Sequence, residues 1–290
     1  MFLRVAGLTI QIATADSGLP LALGEAASRF AIDPATPDVR VDVSAEHLAG
    51  EVGRDLVFDS GGPWRLYRET TGFLFQFFST ALGSAPYKIA RANPDFTRVQ
   101  VVINRSFFPP GTSIEPLEYP LDELLVINLL GQGRGLEIHA CGLIDASGDG
   151  YLFVGQSGAG KSTMARLWLG ERGTVILSDD RVVLRTERDG LWMYGTPWHG
   201  DEPLASPHRV RLARVFLLGQ HSTHRLVPVS RGTAVARIFA ASFPPFYSAP
   251  ALDFSLEFIA TTIASGPCHE LGFTPSRSIV EFVRCSEPLH

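Results

Sequence analysis

Lysine is nearly missing from this sequence: of its 25 basic residues only Lys88 and Lys161 are lysines, and the others are arginines. Cysteine is also scarce, and Cys141, Cys268 and Cys285 are widely separated. This pattern argues against a disulfide framework, and no C-x-x-C pair indicates a structural zinc site. Such sparing use of cysteine predicts a reducing compartment, and we expect the protein to be cytoplasmic.

An excess of positive charge is missing as well. The 25 basic and 30 acidic residues give a net charge of −5, which argues against a general nucleic-acid-binding protein. The sequence also lacks an apolar run of the roughly 20 residues that cross a bilayer. Its best candidate, residues 251–266, is interrupted by Asp253 and Glu257. We therefore expect neither a nucleic acid nor a membrane among the partners.

The first residues follow a strand pattern. Leu8, Ile10 and Ile12 alternate with Thr9 and Gln11. A period of two predicts a half-buried strand rather than the continuous apolar segment of a secretory signal. With 290 residues, of which 45% are hydrophobic, the chain is long enough for one large domain or two small ones.

The pattern of apolar residues changes near residue 120. Residues 1–120 predict a smaller β-rich N-terminal domain with one helix at Leu21–Phe30, and its short turns favour a meander. A proline-rich stretch at 107–111, with further prolines at 116 and 120, marks the predicted boundary. The predicted strands are Leu8–Ala13, Val39–Val43, Leu56–Asp59, Trp64–Glu69, Phe73–Phe78 and Val99–Ile103.

Residues 121–290 mix strand and helix periods, which predicts an α/β domain. The predicted strands are Leu136–Ile144, Tyr151–Val154, Thr174–Leu177, Val210–Leu218, Arg225–Val229 and Val280–Val283. The predicted helices are Leu121–Leu130, Thr163–Leu169, Thr233–Ala241 and Leu252–Thr262.

A phosphate-binding motif of the form G-x-x-x-x-G-K-[ST] lies in this second domain. Its residues are Gly155, Gln156, Ser157, Gly158, Ala159, Gly160, Lys161, Ser162 and Thr163. The motif follows the predicted strand Tyr151–Val154 and opens a predicted helix, which is the setting that such a loop requires.

The residue types of the motif explain its chemistry. Glycines let successive backbone N–H groups point inward and form an anion-binding nest, to which the helix N-terminus adds its dipole. Lys161 supplies a compact charge to the β- and γ-phosphates, a role that the planar guanidinium of arginine does not fill. The Ser162 hydroxyl is a ligand for Mg²⁺. We therefore predict ATP and Mg²⁺ as cofactors.

Two adjacent carboxylates follow the next predicted strand, at Asp179 and Asp180. In α/β folds ligand groups lie at the carboxyl ends of strands. One of the two carboxylates can hold Mg²⁺ while the other accepts the proton of an attacking hydroxyl. The plainer interpretation is that either residue caps a turn, and that Arg181 simply pairs with one of them.

Residues 136–185 resemble HPr kinase/phosphorylase, and more closely the broad group of HPr-kinase-related proteins. The resemblance is carried by Ile138-His139, by the loop Gly155–Ser162 and by Leu177–Arg181. It implies a P-loop kinase domain of the HPr kinase and ATP-dependent phosphoenolpyruvate carboxykinase type. It also implies that Asp180 is the base toward a substrate serine and that His139 is the active-site histidine. With Asp180 as the base, Asp179 is the carboxylate left to hold Mg²⁺ together with Ser162.

The chain also departs from that family. It lacks the later Leu-Glu-Ile-Arg-Gly-Leu-Gly signature, so the resemblance does not extend to the HPr substrate or to phosphorylase activity. In a comparable place it has Gly195-Thr196-Pro197-Trp198-His199-Gly200, which is similar to the related kinases. His199 is thus a candidate for contact with the metal, the γ-phosphate or the acceptor. The plainer alternatives are a core histidine at position 139 and a surface loop around His199.

These features predict an ATP- and Mg²⁺-dependent kinase that phosphorylates a hydroxyl, with a serine of a protein or peptide ranked first as acceptor. The catalytic candidates are Asp180, Lys161, His139 and His199. A small-molecule hydroxyl kinase and a non-catalytic ATP-binding regulator or adaptor remain as alternatives. A carboxykinase-like reaction needs a further active-site lysine, and only Lys88 is left. Homo-oligomerisation is left open.

Overall fold

Strands dominate the chain, as its many short alternating segments predict. The computed structural model describes residues 1–48, 53, 55–109, 111–200, 202–264, 266 and 268–286. Within them the chain is a mixed α/β structure with two large mixed sheets and few helices. One compact unit, the N-terminal unit, comprises residues 1–4 and 8–126; the C-terminal unit comprises residues 5–7 and 127–290. The division lies a few residues after the predicted boundary at 120.

The first sheet has the strand order β1-β2-β3-β8-β7-β6-β5-β4. Strands β2, β3 and β8 are parallel neighbours. Strands β4 to β8 form an antiparallel meander, which confirms the predicted meander. The elements are β1 (Phe2–Val5), β2 (Leu8–Thr14), α1 (Glu25–Ser28), β3 (Val39–Glu46), β4 (Asp55–Asp59), β5 (Trp64–Glu69), β6 (Gly72–Phe77), β7 (Lys88–Ala92) and β8 (Arg98–Asn104).

The prediction of a helix over Leu21–Phe30 is wrong in extent, since only α1 is helical. Leu21 instead forms a β-bridge with Ile114, and Gly24 is extended with φ −60° and ψ 160°. Pairing of Leu21 with a distant part of the chain therefore outweighs the local helical pattern.

Lys88 is fully buried in the N-terminal unit, at 0% exposure. Its ammonium lies 3.1 Å from Oε1 of Glu118 and 4.8 Å from the centre of the Phe77 ring, and it donates to Pro116 O at 3.4 Å. Burial lowers its pKa, and the charge of Glu118 opposes that shift. Lys88 thus ties the chain around Pro116–Glu118 to the sheet.

The second sheet belongs to the C-terminal unit. Its order is β10-β9-β12-β13-β14-β16-β15; β11 pairs with β9, and β10 also pairs with β14, so the path from β10 to β14 closes on itself. The strands are β9 (Leu136–Ile144), β10 (Gly150–Val154), β11 (Val175–Ser178), β12 (Arg181–Glu187), β13 (Gly190–Tyr194), β14 (Arg209–Gln220), β15 (Arg225–Val229) and β16 (Cys268–Phe273). The helices are α2 (Leu121–Leu130), which spans the division, α3 (Lys161–Leu169), α4 (Arg231–Phe239), α5 (Ala249–Phe258) with a π-helical continuation at Ile259–Ile263, and α6 (Ser278–Arg284).

Strand β10 is buried on both faces, which explains its continuous apolar sequence. Tyr151 and Phe153 pack in one cluster with Trp168 of α3. Leu152 and Val154 pack in a second cluster that includes α4. Each fully buried side chain of this kind stabilises the fold by about 1.5–3 kcal/mol. The loop after β10 is therefore anchored to the most buried strand of the sheet.

The prediction of a strand at Val280–Val283 is wrong, because this segment lies in α6. Ile279, Val280 and Val283 are buried in the same cluster as Trp168. Their spacing suits one face of a helix, and this burial outweighs the strand preference of β-branched residues. Among the described residues, no helix is both long enough and apolar enough to cross a membrane.

Candidate functional site

The phosphate-binding motif connects a strand to a helix, as predicted. Strand β10 ends at Val154, and α3 begins at Lys161. Gly160 precedes the helix with φ 101°, in the left-handed region, and a Cβ there would lie 2.8 Å from the Phe273 ring. Only glycine suits both the conformation and the space. The loop therefore delivers its backbone directly onto the N-terminus of α3.

Lys161 folds back under the loop. Its Nζ donates to Gly155 O at 3.0 Å and to Gln156 O at 3.1 Å, and the residue is only 6% exposed. Burial lowers the pKa of Lys161, and the negative charge of Asp180 opposes this shift. The ammonium is thus already positioned by the loop and lies within the field of the aspartate pair.

The two aspartates form the junction between β11 and β12. The buried Ser178 hydroxyl accepts from the backbone N–H groups of Asp180 and Arg181, each at 3.1 Å, and donates to Trp198 O at 2.9 Å. Ala140 N of β9 donates to Asp180 O at 3.1 Å. Ala140 also pairs with Val154, the last residue of the antiparallel neighbour β10. The aspartate junction and the phosphate-binding loop therefore lie at the same end of the sheet.

Asp180 is held by a histidine and an arginine. Its Oδ1 lies 2.7 Å from His139 Nε2, and its Oδ2 accepts from Arg181 Nη1. Burial raises the pKa of Asp180, but the hydrogen bond from His139 and the charges of Arg181 and Lys161 outweigh it and hold the pKa below its ordinary 3.8. The carboxylate is therefore ionised at neutral pH. The simple pairing of Arg181 with one aspartate is confirmed.

Asp179 has a different environment. It is 1% exposed, and its Oδ1 accepts from Gly200 N at 2.9 Å. Its Oδ2 is buried without a hydrogen-bond partner among the described residues. A buried carboxylate oxygen that lacks a donor fits a cation, and carboxylate and hydroxyl oxygens are the ligands that Mg²⁺ prefers. Asp179 therefore suits the predicted metal role together with Ser162, which is half-buried in the first turn of α3.

The described residues contain no group of three or more His, Cys, Asp or Glu side chains that alone would hold a metal. A Mg²⁺ bound with nucleotide phosphates needs only one or two protein carboxylates, because phosphate oxygens and water supply the other ligands. The set of Ser162 and Asp179 is compatible with that kind of site.

Arg181 has two further partners that sequence reasoning missed. Its Nε lies 3.4 Å from Oε1 of Glu137, which is 1% exposed, and its guanidinium stacks 4.1 Å from the centre of the Phe243 ring. Phe243 reaches this position because its N–H donates to Glu137 O. The contact with Glu137 could have been suspected from the sequence, because a glutamate is unusual within the apolar strand β9. No local sequence pattern indicates the contact with Phe243.

The segment 195–200 is joined to the aspartate junction. The Thr196 hydroxyl donates to Arg181 O at 2.7 Å, and Gly200 N donates to Asp179 as described. His199 is exposed, and its Nδ1 lies 3.0 Å from Gly200 O. The structure therefore brings Lys161, Asp179, Asp180 and His139 together, and it places His199 at the surface next to the residue that contacts Asp179.

Gly195 shows how closely the segment 195–200 packs against the neighbouring backbone. A Cβ on Gly195 would lie 1.9 Å from Ser206 O and 2.9 Å from Leu177 O. Gly195→Ala is expected to lower the free energy of unfolding by at least about 2 kcal/mol, because both obstacles are backbone atoms. Urea unfolding measures the change.

Gly232→Ala is the control, since a Cβ on Gly232 in α4 meets nothing within 4 Å. It should leave stability unchanged or raise it by up to about 1 kcal/mol, as alanine favours a helix. Equal stabilities of the two variants would contradict the close fit of Gly195.

The comparisons with known proteins give no family. No model of a known protein family matches the sequence, and no curated protein matches it. The resemblance to HPr-kinase-related proteins therefore stays a prediction that the motifs and their spacing carry.

Proposed function

We propose that the protein is an ATP- and Mg²⁺-dependent kinase that transfers the γ-phosphoryl group to a hydroxyl, with a serine of a protein or peptide as the preferred acceptor. The observation that carries the proposal is Asp180. It is an ionised carboxylate, oriented by His139 and Arg181, and its charge acts on the lysine of the phosphate loop. A site that only bound a nucleotide would not need this oriented second carboxylate.

The loop and the first turn of α3 would bind the triphosphate. Backbone N–H groups of the loop, apart from that of Ala159, which donates to Gln156 O, and the helix N-terminus would supply hydrogen bonds to phosphate oxygens. Lys161 would exchange part of its contact with Gly155 O and Gln156 O for the β- and γ-phosphates. Ser162 and Asp179 would hold Mg²⁺, which when bound offsets the charge of the phosphates.

Asp180 would accept the proton of the acceptor. The hydroxyl oxygen forms a bond to the γ-phosphorus while the bond to the β,γ-bridging oxygen breaks and ADP leaves. The hydroxyl proton passes to Asp180 and then to solvent, so charge and atoms balance. His139 donates to Oδ1 of Asp180 and thereby fixes the orientation of the carboxylate.

The domain type follows as part of the same proposal. We place the C-terminal unit with P-loop kinases of the HPr kinase and phosphoenolpyruvate carboxykinase type, on the support of the loop, the aspartate junction and their shared neighbour β9. A carboxykinase-like reaction is disfavoured, because Lys88 is fully buried and paired with Glu118 within the N-terminal unit.

The direct test uses radiolabelled ATP with Mg²⁺ and candidate acceptors, namely proteins, peptides and small hydroxyl compounds. We expect label to appear in a serine of a protein or peptide. Transfer to a small molecule alone would support the alternative substrate class. Binding of ATP without consumption, even with a co-purifying partner present, would contradict the kinase and support a regulator.

The fall of kcat at low pH, the acid limb of the pH profile, should depend on Arg181. Transfer requires ionised Asp180, so the rate falls as pH drops through its pKa. Because Arg181 helps to hold that pKa below 3.8, Arg181→Gln is expected to raise it and to move the acid limb toward higher pH. The pH dependence of kcat measures the shift.

Arg209→Gln is the matched control. Arg209 also starts a strand, lies 2.7 Å from Oε1 of Glu187 and stacks 4.5 Å from the centre of the Trp192 ring. Its loss should leave the pH profile unchanged. Identical acid limbs in wild type and Arg181→Gln would mean that Asp180 does not control this limb.

A further inference from the structure

A cavity of about 540 Å³ lies beside the phosphate loop. One wall is the loop itself, at residues 155–159. The other walls are formed by the ends of β10 and β14 and by residues 236–240 at the end of α4. Pockets for small ligands typically have volumes of about 300–1,000 Å³. The cavity therefore has room for a ligand group larger than a phosphate.

The pairing of the strands shows that the cavity and the two aspartates lie on opposite sides of the phosphate-binding loop. Val154, the last residue before the loop, pairs with Ala140 of β9 on one side and with Leu217 of β14 on the other. Ala140 binds the backbone of Asp180, whereas Leu217 lines the cavity. Neighbouring strands are about 4.8 Å apart, so the loop lies between the two features. A ligand with its phosphates on the loop would have one end toward Asp180 and the other in the cavity.

The cavity combines an apolar floor with a polar rim. Val154, Leu217 and Leu218 contribute buried apolar side chains. Ala236 of α4 and Ala240, the helical residue that caps the end of α4, are four residues apart and share a face, and their small side chains leave the space open. Apolar surface with a few directed polar groups is typical of pockets that bind small organic ligands.

Arg237 supplies a fixed polar group on this wall. Its Nη2 donates to Leu218 O at 3.0 Å, and its Nη1 lies 2.5 Å from Oε2 of Glu270. His221 Nε2 lies 2.7 Å from the other oxygen of Glu270, and Arg225 Nη2 lies 2.5 Å from His221 Nδ1. This chain of contacts holds the guanidinium in place at the cavity before any ligand arrives.

We propose that this cavity binds the nucleoside portion, base and ribose, of the nucleoside triphosphate, with Arg237 as a donor to its polar edge. The inference rests on the proposed function, since it assumes that the phosphates bind the adjacent loop. It assigns the direction of the nucleotide: the base lies on the β14 side, and the γ-phosphate lies toward Asp180.

Inorganic tripolyphosphate is the probe that separates the two parts of the site, because it carries the phosphates without a nucleoside. Affinities of ATP and tripolyphosphate are measured by calorimetry with Mg²⁺ for wild type, Ala236→Phe and Ala236→Ser. Wild type should bind ATP more tightly by about tenfold or more, the equivalent of ~1.4 kcal/mol. Ala236→Phe fills the cavity and should remove this preference while its tripolyphosphate affinity stays unchanged. Ala236→Ser keeps the space open and should retain the preference.

Tripolyphosphate binding also reports on the integrity of the loop in each variant. If Ala236→Phe does not bind tripolyphosphate, Ala240→Phe, at the residue that caps the end of α4, takes its place. A full preference for ATP in a filled variant that still binds tripolyphosphate would overturn the assignment, as would equal affinities of the two ligands in wild type. Failure of wild type to bind either ligand would contradict the proposed function itself, and the assignment with it.

Discussion

Asp180→Asn is expected to lower kcat for phosphoryl transfer by about 10²–10⁴-fold, the usual contribution of a general base. The amide keeps the size of the carboxylate but has no basic oxygen for the acceptor proton. The amide oxygen can still accept a hydrogen bond from one of the two donors, His139 or Arg181, so the asparagine keeps one of the two contacts of the carboxylate. Affinity for ATP should change little, because Asp180 is assigned to the acceptor rather than to the phosphates.

The measurement is single-turnover transfer from radiolabelled ATP, together with the dissociation constant for ATP and Mg²⁺. Asp189→Asn is the control: Asp189 is an exposed aspartate whose carboxylate accepts from Trp192 Nε1 at 2.9 Å. Its variant should transfer at the wild-type rate. Undiminished transfer by Asp180→Asn would remove Asp180 as the base.

Asp179→Asn distinguishes the two carboxylates. With Asp179 as metal ligand, its variant should require more Mg²⁺ for half-maximal transfer, whereas Asp180→Asn should not. The reverse result would exchange the two roles. The structure favours the first assignment, because the free oxygen of Asp179 is buried and Asp180 is already engaged by donors.

Lys161→Met is expected to lower kcat by about 10²–10³-fold, the usual cost of losing one fixed donor to developing charge. Lys161→Arg should be nearly as inactive. Nζ of Lys161 lies between two backbone carbonyls of the loop, at 3.0 and 3.1 Å, and a planar guanidinium is too wide for that place. This prediction explains why one of two lysines stands where the rest of the chain uses arginine.

Transfer and ATP affinity are measured beside Arg172→Met, which removes an exposed cation just beyond α3. Thermal unfolding in the absence of ligand shows whether Lys161→Met has lost only its loop contacts. A variant at position 161 that folds and transfers at the wild-type rate would contradict the assignment of the loop.

Local patterns in the sequence predicted the parts of the site that are close in sequence. The strand before the loop, the helix after it and the two aspartates at the end of the next strand each follow from about ten consecutive residues. The helix was predicted from Thr163 and begins two residues earlier, at Lys161. Short aromatic segments bounded by turn residues, such as Trp64–Glu69, were also predicted at their observed limits.

Contacts between distant segments were not predictable in this way. Phe243 contacts Arg181 because the chain after α4 pairs with β9, and no local feature of either segment indicates it. Strand β16 was missed because Cys268–Phe273 has no clean alternation, although pairing with β14 and β15 makes it a strand. The cavity was invisible for the same reason, since three separate elements form its walls.

The scarcity of lysine also has a chemical consequence. Lys88 and Lys161 are the only side-chain amines in the sequence, and they are 0% and 6% exposed. Acylating reagents therefore find almost no lysine on the folded surface, and unfolding releases both. Because one of these amines lies in the phosphate loop and the other in the N-terminal sheet, the site of acylation tells which part of the chain has opened. The protein thus carries two natural reporters of local opening, one in its phosphate-binding loop and one in its first sheet.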